Sequence, residues 1–589
     1  MPPSKWNEAG KVWLDDHGLL DDDQASQLRR ADGPEQTRSP IPTRVVSNGE
    51  YMPPPQSEEQ RRVEARIGEL ADDASKKLGM SRRKFLASSG GMAAAFVAMN
   101  EIYGRFFNVD PIEIFEPAAA QESAPPRDMF VFDDQLHVVR GSMGNAGRDL
   151  RAIAQGPTSS DAGIPQNPYN RQALTDESGE AWGVWNPELV GLPNTAETFQ
   201  IVQFIKDIYL DSQVTIGLLS NVTAMVVDDG VQARPPRNAR EAAEVELLTA
   251  GQTAAARNFV NEISGSTRML AHGLLYVGRG NLDWIQQQID EHQPDSWKGY
   301  NISNAAKVDD DPESLMRQWR HDDEDVAYPT FELILQNYER LRETKPGFNC
   351  ICVHKGLAPG PPDPERGHPG DMPKAAADWP DLNFITYHAA IQPGMFMRPA
   401  LDEIESGQLR EGVPDISWTT EYATLVAPFS NVYAEIGTTW ASTIVTFPTV
   451  AAHLMGQLMK FMGPDRIVFG SDSVWYGTPQ WQIDALWRFQ IPEEMRERWG
   501  YPEITEEDKR KILGLNSARL YGIEGVESGD LSERFRAVPA DYEDRMSDEF
   551  KTIFEFPGYI ADNMSRIKAN YANLALPRDQ ERYGWVRPG

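Results

Sequence analysis

The chain has 589 residues, of which 40% are hydrophobic and 25% are charged, so it can bury a large core and is not disordered throughout. It carries 57 Lys and Arg against 88 Asp and Glu, which gives a formal net charge of −31. Such a chain is repelled by the phosphates of nucleic acids and by anionic membrane surfaces. We therefore expect no nucleic-acid partner.

The two cysteines, Cys350 and Cys352, are separated by one residue within an apolar run. This spacing does not suit the geometry of a disulfide within a strand, so we expect both thiols to be reduced and buried. No run reaches the 18 or more consecutive apolar residues of a membrane-spanning helix, and we expect no transmembrane span.

The first 80 residues are polar and contain prolines among charges of both signs. We expect an extension without a packed core, partly disordered, with short amphipathic helices around residues 57–78. Residues 525–589 show poor periodicity and are expected to form a C-terminal extension. The regular alternation of apolar and helical segments lies between them, over residues 129–524.

Residues 81–120 contain the sequence Ser81-Arg82-Arg83-Lys84-Phe85-Leu86, followed by a weakly apolar stretch to Met99. This pattern resembles a twin-arginine export signal, and Ala118-Ala119-Ala120 offers a small-residue cleavage site. About eighty residues precede the motif, which is unusual for a leader. We expect export to the periplasm, with the twin-arginine machinery as a partner. The protein would stay in the cytoplasm if the signal does not function.

From residue 129 onward, short β-branched runs alternate with longer helical segments. The predicted strands are residues 129–133, 214–219, 267–275, 297–302, 348–354, 382–388, 431–436 and 466–472. Helices are predicted at residues 195–210, 240–263, 281–292, 331–343, 416–426, 449–462 and 480–489. Eight strands alternating with helices predict an α/β fold, a (β/α)8 TIM barrel. A doubly wound open sheet is the alternative, and the absence of Gly-x-Gly-x-x-Gly after the first strand disfavours it.

Polar residues near the ends of the predicted strands are candidates for a site, because such barrels gather their active sites at the C-terminal ends of the strands. In chain order they are Gln135, His137, Lys298, His354, His388 and Asp472. Imidazole and carboxylate groups together suit Zn²⁺ or another divalent first-row metal ion. The pattern therefore predicts a metal centre at the mouth of the barrel.

The order of Asp133-x-Gln135-x-His137, His354, His388 and Gly470-Ser471-Asp472 resembles the amidohydrolase superfamily. Within it, the chain is most similar to the amidohydrolase-related branch that includes aminocarboxymuconate-semialdehyde decarboxylase. The resemblance covers about residues 129–522. It implies one divalent metal ion, zinc rather than manganese, and a small-molecule substrate. Homodimers are common in this family, which makes a dimer an expectation by analogy.

Position by position, the resemblance implies that His137, His354 and Asp472 are metal ligands and that His388 is an acid–base or substrate-polarising group. Gln135 stands where the family commonly carries the first His of His-x-His, or Glu, and its neutral amide is a weaker ligand. Lys298 occupies the place of the carboxylated lysine of two-metal relatives. We expect a single metal, with Lys298 binding a substrate carboxylate; the alternative is an ion pair with Glu435.

The aromatic-rich loop at residues 473–481, with Trp475, follows the eighth predicted strand. Together with Trp440 and residues 395–397 it could form the walls of a pocket for a planar apolar substrate, although ordinary core packing explains it equally well. His368, in the loop at residues 356–373, is expected to be a solvated histidine.

The function that we predict is hydrolysis of an amide, ester or lactone, although these strand-end residues serve hydrolysis and decarboxylation equally. A divalent cation lowers the pKa of bound water from 15.7 toward about 7, Asp472 accepts the proton, and His388 protonates the leaving group or holds the oxyanion. The same groups could instead release CO2 from an aromatic or enoic acid. A third interpretation, prompted by Gln135, is a non-catalytic binding protein with a decayed metal site.

Overall fold

The computed structural model describes a large part of the chain, and all structural statements below refer to that part. It consists of residues 5–6, 13–14, 39–45, 56–126, 129–138, 201–221, 226–228, 232–234, 246–264, 267–301, 319–357, 365–392, 404 and 406–526. The predicted C-terminal extension lies almost wholly outside these residues.

Eight parallel strands form one sheet in sequence order. They are β1 (Phe132–Leu136), β2 (Ile216–Leu219), β3 (Met269–Leu275), β4 (Ser296–Tyr300), β5 (Cys350–His354), β6 (Asn383–Tyr387), β7 (Val432–Glu435) and β8 (Ile467–Val468). Between β1 and the segment after β8, Asp134 N donates to Phe469 O at 2.9 Å and Asp472 N donates to Gln135 O at 3.0 Å. These bonds join the first strand to the last, and the predicted (β/α)8 barrel is confirmed.

Helices cover the outside of the barrel and precede it. They are α1 (Glu58–Leu78), α2 (Arg82–Leu86), α3 (Ser89–Tyr103), α4 (Pro117–Glu122), α5 (Ile201–Ile205), α6 (Ala250–Ser264), α7 (Leu282–His292), α8 (Tyr328–Leu341), α9 (Met372–Asp378), α10 (Ser417–Leu425), α11 (Gly437–Thr443), α12 (Pro448–Phe461), α13 (Gln480–Arg488), α14 (Glu493–Trp499), α15 (Glu506–Arg510) and α16 (Asn516–Leu520). Among the described helices, none is both long and apolar enough to span a bilayer.

Short elements complete the described chain. Two-stranded antiparallel pairs join Lys5–Trp6 to Trp13–Leu14, Val226–Asp228 to Gln232–Arg234, and Leu409–Arg410 to Val413–Pro414. Single 3₁₀ turns occur at Pro111–Ile114, Arg279–Asn281, Pro346–Asn349, Pro369–Asp371, His388–Ala390 and Pro464–Arg466, and π-helical turns at Lys206–Leu210 and Lys511–Leu515.

Each predicted strand overlaps one barrel strand; the first lies three residues later than predicted, and the strand that is shortened most is the eighth. That strand was predicted over residues 466–472, but the ladder ends at Val468. Asp472 has φ = 56°, in the left-handed region that an extended strand does not adopt. The polar end of the segment therefore leaves the sheet, and Asp472 can turn its side chain toward the barrel axis.

The barrel interior is packed rather than hollow. Cys350 and Cys352 are buried free thiols among the interior side chains, as the sequence predicted, and burial raises the pKa of each. At the N-terminal end of the strands, Tyr521 follows α16 and its hydroxyl donates to Ser296 Oγ at 3.1 Å. This end of the barrel is closed by side chains, so a site is available only at the opposite end.

The register of β1 against β2 shifts between Asp133 and Leu136. Before the shift, Asp134 reaches the barrel floor, where Ser517 donates to its carboxylate. After the shift, Gln135 and His137 lie at the opposite mouth beside Asp472. An extra residue in a strand changes which face the following side chains occupy, and here it brings Gln135 and His137 into the site.

The described part of residues 1–80 includes the amphipathic helix predicted around residues 57–78, and this helix packs against the main core. Helix α1 spans 21 residues in place of several short helices. It buries Val63, Ile67 and Ala71, and Ile41 upstream is also fully buried; all four belong to the main core cluster. The physical reason is an apolar stripe at helical spacing. Its burial contributes more favourable free energy than the flanking prolines and charges cost.

The apolar segment after the two arginines is also part of the folded core. Phe96 in α3 is fully buried and stacks on Phe107 with ring centroids 4.6 Å apart. Phe107 in turn pairs with Phe489, just after α13 of the barrel. Residues 81–120 are therefore packed against the barrel in the folded chain.

A buried ion pair fixes this contact. Arg488 in α13 and Glu113 lie 2.8 Å apart, with side-chain exposures of 3% and 4%. Arg488 also donates to the carbonyl oxygens of Asn108 and Ala120 at 3.3 Å each. One guanidinium thus binds three points of the segment that precedes the barrel.

We predict that Arg488→Met destabilises the protein by about 3–5 kcal/mol, because Glu113 would keep a buried carboxylate without its cation. Urea denaturation followed by circular dichroism measures this loss. Arg61→Met is the matched control, since Arg61 pairs with Glu58 on the exposed face of α1 and its loss should cost less than about 1 kcal/mol. Equal effects of the two substitutions would contradict the structural role of the buried pair.

Candidate metal centre and active site

The structure brings the predicted site residues together at the C-terminal mouth of the barrel. All six are buried, none with more than 2% exposure: Gln135, His137, Lys298, His354, His388 and Asp472. Polar and ionisable groups are rarely buried unless they are paired or bind a ligand, so their concentration here marks a functional site.

His137 and Asp472 form the closest pair of predicted ligands. Nε2 of His137 lies 2.9 Å from Oδ1 of Asp472, and Nδ1 of His137 lies 3.1 Å from the carbonyl oxygen of Ser220. A carbonyl oxygen can only accept, so Nδ1 carries the proton and Nε2 of the neutral ring presents its lone pair to the carboxylate.

The pKa shifts of His137 and Asp472 indicate which of the two side chains is charged. Burial lowers the pKa of His137 below its ordinary value in spite of the nearby carboxylate, so the ring is neutral at pH 7. Burial opposes the ionisation of Asp472, but His137, His388 and Thr438 hold its pKa below the ordinary value, so it is a carboxylate. His137 Nε2 and Asp472 Oδ1 therefore meet at 2.9 Å as an imidazole nitrogen and a carboxylate oxygen, the donor types that a divalent cation binds.

Gln135 supplies a third polar group beside this pair. Its Nε2 lies 3.3 Å from His137 Nε2, while its buried Oε1 has no hydrogen-bond partner. Rotation of the amide by 180° would exchange the two atoms and turn the oxygen toward His137. An amide oxygen without a partner at this position fits a weak metal ligand better than a structural hydrogen bond.

His354 is prepared as a ligand in the same way as His137. Its Nδ1 lies 3.1 Å from the carbonyl oxygen of Leu357, which leaves the lone pair on Nε2. Lys298 Nζ lies 2.9 Å from that Nε2 and 3.6 Å from the centre of the Tyr387 ring. An ammonium group therefore lies where the resemblance implies that His354 binds a metal ion.

No group of three or more His, Cys, Asp or Glu side chains in the described chain is arranged to hold a metal ion. The donor chemistry nevertheless fits one. Two imidazoles are oriented by backbone carbonyls, one carboxylate faces a lone pair, and one amide oxygen lacks a partner. His137, Asp472, His354 and Gln135 are the residues that would hold such an ion.

His388 differs from the two other histidines in its tautomer. Its Nδ1 accepts a hydrogen bond from Thr438 N at 3.1 Å, so the proton of the neutral ring is on Nε2. Burial lowers the pKa of His388 to about 3, and the ring is neutral at pH 7. His388 therefore offers an N–H donor, which suits contact with substrate oxygen rather than metal ligation.

The backbone of His388 is held in an unusual conformation, with φ = 60°. Glu435 at the end of β7 supports it, because its Oε2 accepts from His388 N at 3.0 Å. Glycines at 437 and 470 make room for this carboxylate: a Cβ at Gly437 would lie 2.6 Å from Glu435 Oε1. Burial raises the pKa of Glu435 well above its ordinary value.

Two site residues were missed in the sequence. Thr438, after β7, donates from its hydroxyl to Asp472 Oδ2, and Tyr476 OH lies 2.8 Å from the same hydroxyl. The signal that could have found them is position: Thr438 follows β7 by three residues, and Tyr476 lies in the loop after β8, where the polar side chains of such a barrel collect.

Trp475 and Trp440 have different surroundings. The Trp475 ring lies 5.5 Å from the His137 ring, at the site. The prediction that Trp440 forms a wall of the site is not supported, because it packs on Phe489 and donates to the Gln482 carbonyl in the helical layer. Residues 395–397 lie outside the described chain.

Two other histidines lie away from the mouth. His272, within β3, contacts the hydroxyls of Tyr387 at 2.9 Å and Ser296 at 2.8 Å, and it belongs to the barrel interior. His368 pairs with Glu421 at 3.1 Å. It is partly buried in this contact rather than fully solvated as predicted, because the carboxylate and the Trp418 ring hold it.

Comparison with known proteins finds one family model that matches part of the chain. Residues 230–523, just under half of the chain, match the model of a protein family described as Amidohydrolase. No curated protein matches the chain. Solved structures match along 67% of it, among them an uncharacterised TIM-barrel protein from Bordetella bronchiseptica, at 12% identity and TM-score 0.36 over 99% of that chain.

Two further solved structures are decarboxylases. One is 5-carboxyvanillate decarboxylase from Novosphingobium aromaticivorans, complexed with manganese and 4-hydroxy-3-methoxy-5-nitrobenzoic acid, at 11% identity and TM-score 0.35 over 67% of this chain and 97% of that chain. The other is 2,6-dihydroxybenzoate decarboxylase from Rhizobium, at 13% identity and TM-score 0.32 over 67% and 99%. These likenesses are too distant to carry an argument about activity.

We predict that His354→Ala and Asp472→Ala each abolish retention of a divalent metal ion, because each removes a lone pair that faces the cation position. Metal analysis of the purified variants by mass spectrometry measures this. His453→Ala is the control, since His453 is also buried but contacts Tyr501 in the outer layer. Either site variant retaining the wild-type metal content would disprove the ligand assignment.

Proposed function

We propose that this chain, whose residues 230–523 form an amidohydrolase-family domain, is a metal-dependent hydrolase that cleaves an amide, ester or lactone with one bound divalent cation. The observation that carries the proposal is the buried contact of 2.9 Å between His137 Nε2 and Asp472 Oδ1. An imidazole nitrogen and a carboxylate oxygen held together in a buried site are the donor types that a divalent cation binds.

The proposed ligands are His137, Asp472 and His354, with Gln135 Oε1 as a weak fourth. Zinc suits this set of nitrogen and oxygen donors, and manganese is the alternative. When bound, the ion would supply a nucleophile at neutral pH and polarise the substrate carbonyl.

The chain's own residues supply the proton transfers. Asp472 is a buried carboxylate that can take a proton at Oδ1, while Thr438 occupies Oδ2. His388 carries a proton on Nε2 and can donate a hydrogen bond to a developing oxyanion or protonate a leaving group. The low exposure of both groups keeps bulk water from competing for these contacts.

A second candidate function is decarboxylation of an aromatic or enoic carboxylic acid, and one observation favours it. Lys298 brings a buried ammonium group into the site, flanked by the rings of Tyr387 and Tyr300. A cation between aromatic faces suits a planar substrate that carries a carboxylate. Trp475, near His137, adds a further aromatic surface. This candidate corresponds to the aminocarboxymuconate-semialdehyde decarboxylase-like branch.

We predict that the wild-type chain with one equivalent of Zn²⁺ or Mn²⁺ hydrolyses members of a panel of esters and lactones. Release of CO2 from a parallel panel of aromatic acids would favour the second function. Lys298→Met separates the two, because it removes the carboxylate anchor: turnover of acids should be lost, while turnover of neutral esters should persist. A metal-replete chain inactive on both panels would argue for the binding-protein interpretation.

We also propose that the twin-arginine segment directs export and stays attached afterwards. Arg83 is exposed at the start of α2, where a receptor could contact it, whereas Ala120 at the expected cleavage site is fully buried. Proteases need an accessible, extended backbone, so cleavage after Ala120 is disfavoured in the folded chain.

We predict that Arg82→Lys combined with Arg83→Lys retains the protein in the cytoplasm, because the paired guanidinium groups are the element that the export route reads. Cell fractionation measures this, with Arg61→Lys in α1 as the control. Intact-mass analysis of the exported protein should find residues 81–120 still present. Unchanged fractionation of the double variant would disprove the export signal.

A further inference from the structure

Thr438 contacts both residues to which the proposed function assigns proton transfer. It is the second residue of α11, directly after β7, and it is fully buried. Its backbone N–H donates to His388 Nδ1 at 3.1 Å, and its hydroxyl donates to Asp472 Oδ2. One residue thus connects the end of β6 with the segment that follows β8.

The hydrogen bonds of the Thr438 hydroxyl have a fixed direction. Asp472 is a carboxylate and can only accept, so the hydroxyl gives its single hydrogen to Oδ2. The contact of 2.8 Å with Tyr476 OH then requires the tyrosine to be the donor. The order of donation is Tyr476 to Thr438 to Asp472, and in this chain of contacts Oδ2 is the final acceptor.

Occupation of Oδ2 determines what Oδ1 can do. A carboxylate that rotates about its Cβ–Cγ bond exchanges its two oxygens, and the bond from Thr438 opposes that rotation. Oδ1 therefore remains 2.9 Å from His137 Nε2, on the side of the proposed cation. The backbone N–H of Thr438 similarly keeps the His388 proton on Nε2.

We propose that Thr438 is the positioning residue of this site: its hydroxyl holds Asp472 with Oδ1 toward the cation, and Tyr476 supports that hydroxyl. The inference rests on the proposed function and deepens it, because it explains how a single carboxylate is restricted to one oxygen for the metal. Partners behind a ligand that fix its orientation commonly contribute 10–100-fold to metal affinity.

The local fold explains why a threonine can occupy this position. Helix α11 begins at Gly437, where a Cβ would lie 2.6 Å from Glu435 Oε1 and 2.8 Å from Gln135 Oε1. The glycine lets the helix begin close to the barrel axis, and the next side chain then reaches Asp472. The helix N-terminus also places the Thr438 N–H in the first turn, where it has no intrahelical acceptor and can bond His388.

The test compares Thr438→Val, which keeps the shape and the backbone N–H but removes the hydroxyl, with Thr438→Ser, which restores the hydroxyl. Dissociation constants for Zn²⁺ alone and Mn²⁺ alone are measured by competition with a chelator on the full chain. We expect Thr438→Val to weaken binding about 10–100-fold and Thr438→Ser to stay within about threefold of the wild type. Tyr476→Phe should weaken binding less than Thr438→Val.

Thr420→Val is the matched control for the loss of a buried hydroxyl. Thr420 is equally buried, but its hydroxyl contacts Gln457 and Ile416 N outside the barrel. Thermal midpoints of both valine variants report their effect on stability, and only Thr438→Val should change the dissociation constant. Rescue by serine distinguishes a hydroxyl requirement from a general effect of packing.

The possible failures are distinguishable. Wild-type affinity in Thr438→Val, or equal weakening in Thr420→Val, would overturn the role of Thr438 and leave the proposed function intact. Weak binding in Thr438→Ser would show that the methyl group, not the hydroxyl, matters, and would also overturn it. A wild-type chain that binds neither ion would overturn the proposed function and this inference together.

Discussion

The closure of the barrel is the constraint on which the site depends. His137 and Asp472 are 335 residues apart in the chain, and they meet only because the first and last strands are joined by backbone hydrogen bonds. Closure removes the freedom that would let the two buried side chains separate, and the pair stays at 2.9 Å. An imidazole nitrogen and a carboxylate oxygen fixed side by side in this way are suited to binding a divalent cation.

Two residues of the site have an unfavourable backbone conformation. His388 and Asp472, which follow the non-adjacent strands β6 and β8, both adopt left-handed φ angles, of 60° and 56°. Such conformations cost of order 1–3 kcal/mol each for residues other than glycine, and they persist where the surroundings determine them. Glu435 bonds the backbone of His388, and Thr438 bonds the side chain of Asp472. Backbone strain at the two residues that are proposed to transfer protons is typical of functional sites.

The strand order and most of the site could be predicted from the sequence, because a parallel barrel converts the ends of distant apolar runs into neighbours. His354, His388 and Asp472 were found by that rule alone. The fold of residues 81–120 was not predicted, since an apolar segment that follows two arginines looks the same whether it crosses a translocase or packs in a core. Burial of Phe96 against Phe107 is a tertiary contact that local sequence does not encode.

Other features were hidden for a more specific reason. Because of the register shift in β1, Gln135 and His137 face the mouth while Asp134 faces the floor. If the side chains of β1 alternated strictly, Asp134 and Gln135 would lie on opposite faces of the strand. The role of Thr438 depends on its backbone N–H as much as on its side chain, and a backbone donor has no signature in residue type. Position after a strand was the only signal available for it.

Lys298 and a metal ion would compete for the same atom of His354, and this competition bears on both candidate reactions. Its ammonium group lies 2.9 Å from His354 Nε2, so the lysine and a metal ion cannot both use that lone pair. Metal ligation by His354 would displace the lysine, which has the face of Tyr387 at 3.6 Å to hold it inside the barrel mouth. The displaced cation would then lie beside the metal, where a substrate carboxylate needs it.

Hydrolysis of a neutral substrate does not require this cation, but decarboxylation does, because the acid must be held while its carbon is protonated. The position of Lys298 therefore bears on the choice of reaction, whereas Asp472 and His388 serve both.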